Sequence, residues 1–120
     1  MPIIKALLVI SEHEAVPEGM AQGIASAAAQ VFGSAPGRVW VTVQHLPAGS
    51  YAENSVASPP NPVFIEVLHA DLSASDVLAS EAKALAEAIA ACLGRSPELV
   101  HIEYAAPGRG RVAFGGKLLR

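Results

Sequence analysis

Ile3-Ile4-Lys5-Ala6-Leu7-Leu8-Val9-Ile10 is the stretch on which the reading of this chain turns. The apolar run is broken only by Lys5 and Ala6. It is too short for a self-supporting helix and rich enough in β-branched residues for a buried strand. After the polar stretch 11–15, Pro17 and Glu18 supply a favourable first helical turn. Met20, Ile24, Ala27, Ala28 and Val31 then recur at helical spacing until Gly33 ends the pattern. Residues 39–46 read Val-Trp-Val-Thr-Val-Gln-His-Leu, with Val39, Val41 and Val43 on one face and Trp40, Thr42 and Gln44 on the other, which predicts a second strand.

The same order then returns. Residues 63–70 predict a strand, 76–93 a helix capped by Ser73 or Ser75, and 99–104 a further strand. Leu78, Ala82, Leu85, Ile89 and Cys92 form the apolar stripe of that helix, which places Cys92 in the core, and Gly94 stops it. The two units, 2–46 and 62–105, are offset by about sixty residues (Ile3 against Val63, Val39 against Leu99, Pro47 against Pro107) and read as an internal duplication. A turn-rich linker, 47–61, joins them, and a tail, 106–120, follows; long connections of this kind often carry function.

A helical crossover makes the strands that flank it parallel. Two such units therefore predict one α/β (α+β) domain over 1–120, a four-stranded mixed sheet with two helices on one face. With strands apolar on both faces, the uncovered side of the sheet would need a partner, so oligomerisation is expected. A ferredoxin-like binding module has the same element order with antiparallel neighbours, and order alone does not separate the two.

Composition narrows the function classes. With 52% hydrophobic and 16% charged residues over 120 positions the chain is not disordered, and it has enough length for one core. Eight basic against 11 acidic side chains, with 5% aromatics, argue against nucleic acid. Half of the basic residues, Arg109, Arg111, Lys117 and Arg120, lie in the acid-free tail. The lone Cys92 fits a reducing cytoplasm, and no apolar run approaches the roughly 18 residues of a membrane span. His13, His45, His69 and His101 stand too far apart for metal-ligand spacing, so no metal and no cofactor is expected. Gly108, Gly110 and Ala113 match a dinucleotide fingerprint only nominally, because no helix has room to follow.

Met1-Pro2 is the most informative dipeptide. A small second residue permits removal of the initiator methionine and leaves a secondary amine at Pro2. An ordinary α-amino group titrates near ~7.7 to 8.0, and desolvation lowers that value toward the range of an efficient general base.

The start Met1-Pro2-Ile3-Ile4, the duplicated units, and three further pieces together resemble the tautomerase superfamily. Those pieces are Ala15-Val16-Pro17-Glu18-Gly19, the Ser96-Pro97-Glu98 lead-in to Leu99-Val100-His101-Ile102-Glu103-Tyr104, and Arg111-Val112-Ala113-Phe114-Gly115-Gly116. They are similar to macrophage migration inhibitory factor and its bacterial relatives, in the wider group of 4-oxalocrotonate tautomerase. The resemblance implies a homotrimer and a cofactor-independent enzyme. In it the mature N-terminal proline is general base and acid in keto–enol tautomerisation of a small α-keto acid or enol carboxylate.

The resemblance also places site residues. Pro2 would be catalytic. A backbone amide near Ala70 would donate to substrate oxygen, His101 and Glu103 would line the pocket of a neighbouring subunit, and Phe114 would form its aromatic wall. Ser34 stands where the cytokine-like members carry a lysine, and the nearest cation is Arg38, positioned to take a substrate carboxylate or to remain a solvated strand-end charge. Arg111 and Lys117 are further candidates for attracting anions. Branches that dehalogenate or decarboxylate carry arginines just after the third strand, where this chain has Ala70, Asp71, Leu72 and Ser73, so those activities are disfavoured. A non-catalytic partner-binding member of the same fold is the alternative. Glu66 is expected at the subunit interface or in solvent, and Trp40 at an interface or in the core.

Overall fold

The computed structural model describes residues 2–120; Met1, and with it the expected methionine removal, lies outside them. β1 (Ile3–Ile10), α1 (Met20–Phe32) and β2 (Trp40–Pro47) form the first unit. β3 (Val63–Leu68), α2 (Ser75–Leu93) and β4 (Val100–Tyr104) form the second, and the tail adds a hairpin of β5 (Ala113–Phe114) and β6 (Lys117–Leu118). The sheet order is β2-β1-β3-β4. β1 pairs with β2 and β3 with β4 in parallel, whereas β1 and β3 run antiparallel in the middle. This is the expected mixed sheet. Parallel β1–β2 neighbours exclude the ferredoxin-like alternative.

The alternation of β-strand side chains divides the sheet into two unlike faces. Ile4, Ala6 and Leu8 of β1 and Val63, Ile65 and Val67 of β3 are buried against Ile24 and Ala28 of α1 and Leu85, Ile89 and Ala90 of α2. The opposite face is not the apolar surface that the sequence led us to expect. Register places Thr42, Lys5, Glu66 and Glu103 in one row across all four strands, and Gln44, Leu7, Phe64 and His101 in the next. A spacing of sixty residues also interchanges the two faces, since Ile4 lies in the core and Phe64 lies exposed. An odd spacing, such as that from Gly33 to Gly94, keeps the faces matched.

Several boundaries move for local reasons. Gly19 is left-handed (φ 75°), so the right-handed helix begins at Met20 and not at Pro17. Ala74 caps α2 without a side-chain hydrogen bond, so neither Ser73 nor Ser75 serves as the cap. Cys92 is exposed and not core. It stands where α2 passes α1 at Gly23, close enough that a Cβ on Gly23 would come within 2.7 Å of the sulfur.

Arg95 fastens the sheet end remote from Pro2. Its Nη1 donates to the carbonyls of Val9 (2.8 Å) and Asn61 (2.9 Å), and its Nη2 pairs with Glu14 at 2.9 Å. Because Leu85 is fully buried and Leu118 is 44% exposed, Leu85→Ala should lower unfolding free energy by about 2–5 kcal/mol in urea titration, with Leu118→Ala costing under about 1 kcal/mol.

Candidate active site

The β1–β3 register ends at Ile3 opposite Leu68. Pro2 therefore stands at the middle of one sheet end, beside the exit of β3. On its other flank the Trp40 N–H donates to the Pro2 carbonyl at 3.1 Å. Pro2 itself is buried.

The tail runs across this sheet end. Ala105 donates to the Val67 carbonyl (2.9 Å), Gly108 to that of His69 (2.8 Å) and Arg109 to that of Ala70 (3.1 Å), which fixes the tail along the β3 exit. It then reaches the foot of β2, where Phe114 meets Trp40 edge-to-face with ring centroids 5.2 Å apart. The Trp40 indole donates to the Gly37 carbonyl at 3.1 Å, which orients its ring for that contact. Gly115 and Gly116, both with positive φ, turn the β5–β6 hairpin. One tail segment thus has Arg109 on the β3 side of Pro2 and Phe114 on the β2 side.

Of the residues singled out from sequence, Pro2, Ala70 and Phe114 share this sheet end. Arg38 is close in sequence to Trp40, exposed, and has no ion pair among the described residues. His101 and Glu103 lie elsewhere in the chain. With Lys5, Gln44, Phe64 and Glu66 they line a groove of about 680 Å³ on the helix-free face. The linker reaches the same face, where Tyr51 packs on Phe64 (5.9 Å) and Phe64 on His101 (5.5 Å). Trp40 is 53% exposed and Glu66 half-buried, both on this face.

Two charged constellations at the Pro2 end were not anticipated. In the first, on the helix side, His69 Nε2 lies 2.8 Å from Glu81 Oε1, which also accepts the Tyr104 hydroxyl at 3.0 Å. His69 stacks on Tyr104 and meets Phe32 edge-on. Desolvation, and then the Glu81 contact, hold the Tyr104 phenol above its ordinary range. In the second, Arg109 Nε and Nη2 grip the Asp71 carboxylate at 2.9 and 2.6 Å, and this hydrogen bonding holds the Asp71 carboxyl below its usual range. An arginine does stand at the β3 exit, supplied by the tail. The pairs are separated by 12, 23 and 38 positions, so no local pattern announces them.

No family model and no curated protein matches the chain. Solved structures do. Pt0534 inactivated by 2-oxo-3-pentynoate is 14% identical, with 97% of this chain and 94% of that one covered and a TM-score of 0.74. F6 fused 4-OT wild type, an asymmetric trimer, is 18% identical with the same coverages and a TM-score of 0.75. Macrophage migration inhibitory factor from Oncomelania hupensis is 14% identical over 100% of this chain and 83% of that one, with a TM-score of 0.73. The chain has the β-α-β fold of the tautomerase-superfamily structures. No helix among the described residues is long and apolar enough to cross a membrane.

Glu81 couples its two partners, so a double-mutant cycle of Tyr104→Phe with His69→Ala should give an interaction energy of about 0.5–1 kcal/mol or more in denaturant titration. The raised phenol favours the folded state while protonated. Its contribution is complete below about 10, the ordinary tyrosine value, and is lost as pH rises past it. Tyr104→Phe should accordingly flatten the fall in stability on the alkaline side.

Proposed function

We propose that this protein is a cofactor-independent keto–enol tautomerase that acts on a small α-keto acid or enol carboxylate with the Pro2 amine as general base and acid. The supporting observation is the position of Pro2, buried at the head of a central strand between the β3 exit and the Trp40–Phe114 edge contact. Its occurrence in a fold shared with tautomerase-superfamily structures adds to that.

The chemistry follows from one lone pair. Once Met1 is removed, the neutral Pro2 nitrogen takes the proton of an enol hydroxyl. The electrons of the O–H bond form the carbonyl, and the C=C pair collects the proton back from the Pro2 ammonium at carbon. Donors on the substrate oxygen, among them a backbone amide near Ala70, stabilise the charge that develops there. Phe114 and Trp40 supply non-polar surface on one flank, and burial of the Pro2 nitrogen favours the neutral amine. Arg38 is one cation available to a substrate carboxylate.

Assembly as a homotrimer, with the helix-free faces turned toward one another, would bring a neighbour's His101 and Glu103 to the pocket. The trimeric fused 4-OT structures support a homotrimeric state. A cytoplasmic location is part of the same reading.

Intact mass should show loss of Met1, and Pro2→Ala should slow phenylpyruvate ketonisation by about 10²-fold or more. Activity that survives with Met1 retained would end the proposal, because an acylated proline nitrogen has no basic lone pair. Light scattering at micromolar concentration should give three times the mass of one chain; a stable monomer would remove the shared pocket.

A further inference from the structure

We infer that the Arg109–Asp71 pair is the carboxylate-binding device of this site, in which Asp71 occupies the guanidinium until a substrate carboxylate displaces it. The inference rests on the proposed reading of the Pro2 end and names the group that recognises the substrate anion.

Position is the first observation. The Arg109 N–H is bonded to the Ala70 carbonyl, one residue from His69, and continuation of the β1–β3 register places His69 opposite Pro2. The same tail segment supplies Phe114 on the far flank of Pro2. The tail thus passes the Pro2 end with Arg109 bonded along the β3 exit and Phe114 against Trp40 on the β2 side.

The second observation is orientation. Arg109 presents Nε and Nη2 side by side to the two oxygens of a carboxylate, and its Nη1 donates to a main-chain oxygen of Arg120, so the plane of the fork is fixed before any ligand arrives. Among the described residues Arg38 has no contact of this kind, and Arg95 is consumed by Val9, Asn61 and Glu14. A fork already matched to carboxylate geometry loses little freedom when one carboxylate replaces another.

Exchangeability is the third. The Arg109 and Asp71 side chains are 47% and 64% exposed, and an ion pair so open to water contributes little net stability. Nor is the pair needed to dock the tail. Three backbone hydrogen bonds, from Ala105, Gly108 and Arg109, already fix it along the β3 exit. An internal carboxylate held bidentately at modest strength is what an anion site looks like with its own side chain as placeholder. Asp71 then serves a second purpose, since a neutral molecule cannot displace it and gains nothing at the fork.

The test is an NMR titration of the full chain with pyruvate, and with pyruvamide as the uncharged control, alongside proton exchange at C3 of pyruvate in D2O. Arg109→Gln should weaken pyruvate binding about 10-fold or more, whereas Asp71→Asn, which removes the competing charge and one of the two acceptor oxygens, should tighten it several-fold. Neither should alter pyruvamide binding. Lys83→Gln, remote on α2, controls for the loss of one positive charge. Arg109→Lys keeps the charge without the fork, and should fall between wild type and Arg109→Gln.

Weakening by Asp71→Asn as large as that by Arg109→Gln would make the pair a single structural unit and overturn the inference. So would a loss confined to Arg38→Gln, or a wild-type chain that does not bind pyruvate at all. The two readings part cleanly: pyruvate binding with this mutational pattern but no C3 exchange would refute the proline chemistry and leave the anion site standing. Exchange that depends on Pro2 and ignores Arg109 and Asp71 would do the reverse.

Discussion

Antiparallel pairing of β1 with β3 is the contact from which the rest of the architecture follows. Each strand–helix–strand unit alone is a parallel pair with one helix, and its apolar side is only half covered. Joining the units through β1 and β3 brings Ile4, Ala6 and Leu8 beside Val63, Ile65 and Val67 under both helices, so one core is made from two incomplete ones. The same pairing puts the start of β1 beside the exit of β3 at the centre of a sheet end. Pro2 is central because β1 is central.

That end is then closed from three directions. Backbone hydrogen bonds to Val67, His69 and Ala70 lead the tail across the sheet, Phe114 meets Trp40 on the β2 side, and Tyr104 and Glu81 engage His69 from the helix side. Pro2 is buried at an end where the neighbouring side chains, His69 with Glu81 and Asp71 with Arg109, are partnered with one another. The opposite face of the sheet has a different character. There Lys5, Glu66 and Glu103 lie side by side across three strands, and two adjacent carboxylates facing one lysine form a surface suited to polar contact more than to dry packing.

The strands were legible because a pleated strand leaves a period-two record, and β2, with Val41 and Val43 on one face and Thr42 and Gln44 on the other, is the clearest case. Helix limits were less so, since one left-handed glycine at position 19 outweighs a good Pro-Glu start. Cys92 shows where helical periodicity misleads. It continues the α2 stripe through Ile89, but in the last turn Ala90 and Leu93 are the residues that meet the core, and Cys92 is left exposed beside α1 at Gly23. Pro2 and Phe114 were singled out through a resemblance spread over the whole chain, and the structure sets both at one sheet end. The Asp71–Arg109 and His69–Glu81–Tyr104 contacts were not, because they join residues that only the completed sheet brings together. Arg109 looked like one more cation in a basic tail, and the backbone contact to Ala70 is what distinguishes it.

The most direct test of proline-based chemistry is a ¹⁵N NMR titration of the Pro2 nitrogen in protein labelled at proline. A base that works near neutrality requires a mature, free amine that titrates below the ordinary α-amino range of about 7.7 to 8.0, lowered by its burial at the sheet end. A Pro2 nitrogen that remains an amide, or that titrates at or above that range, would contradict it.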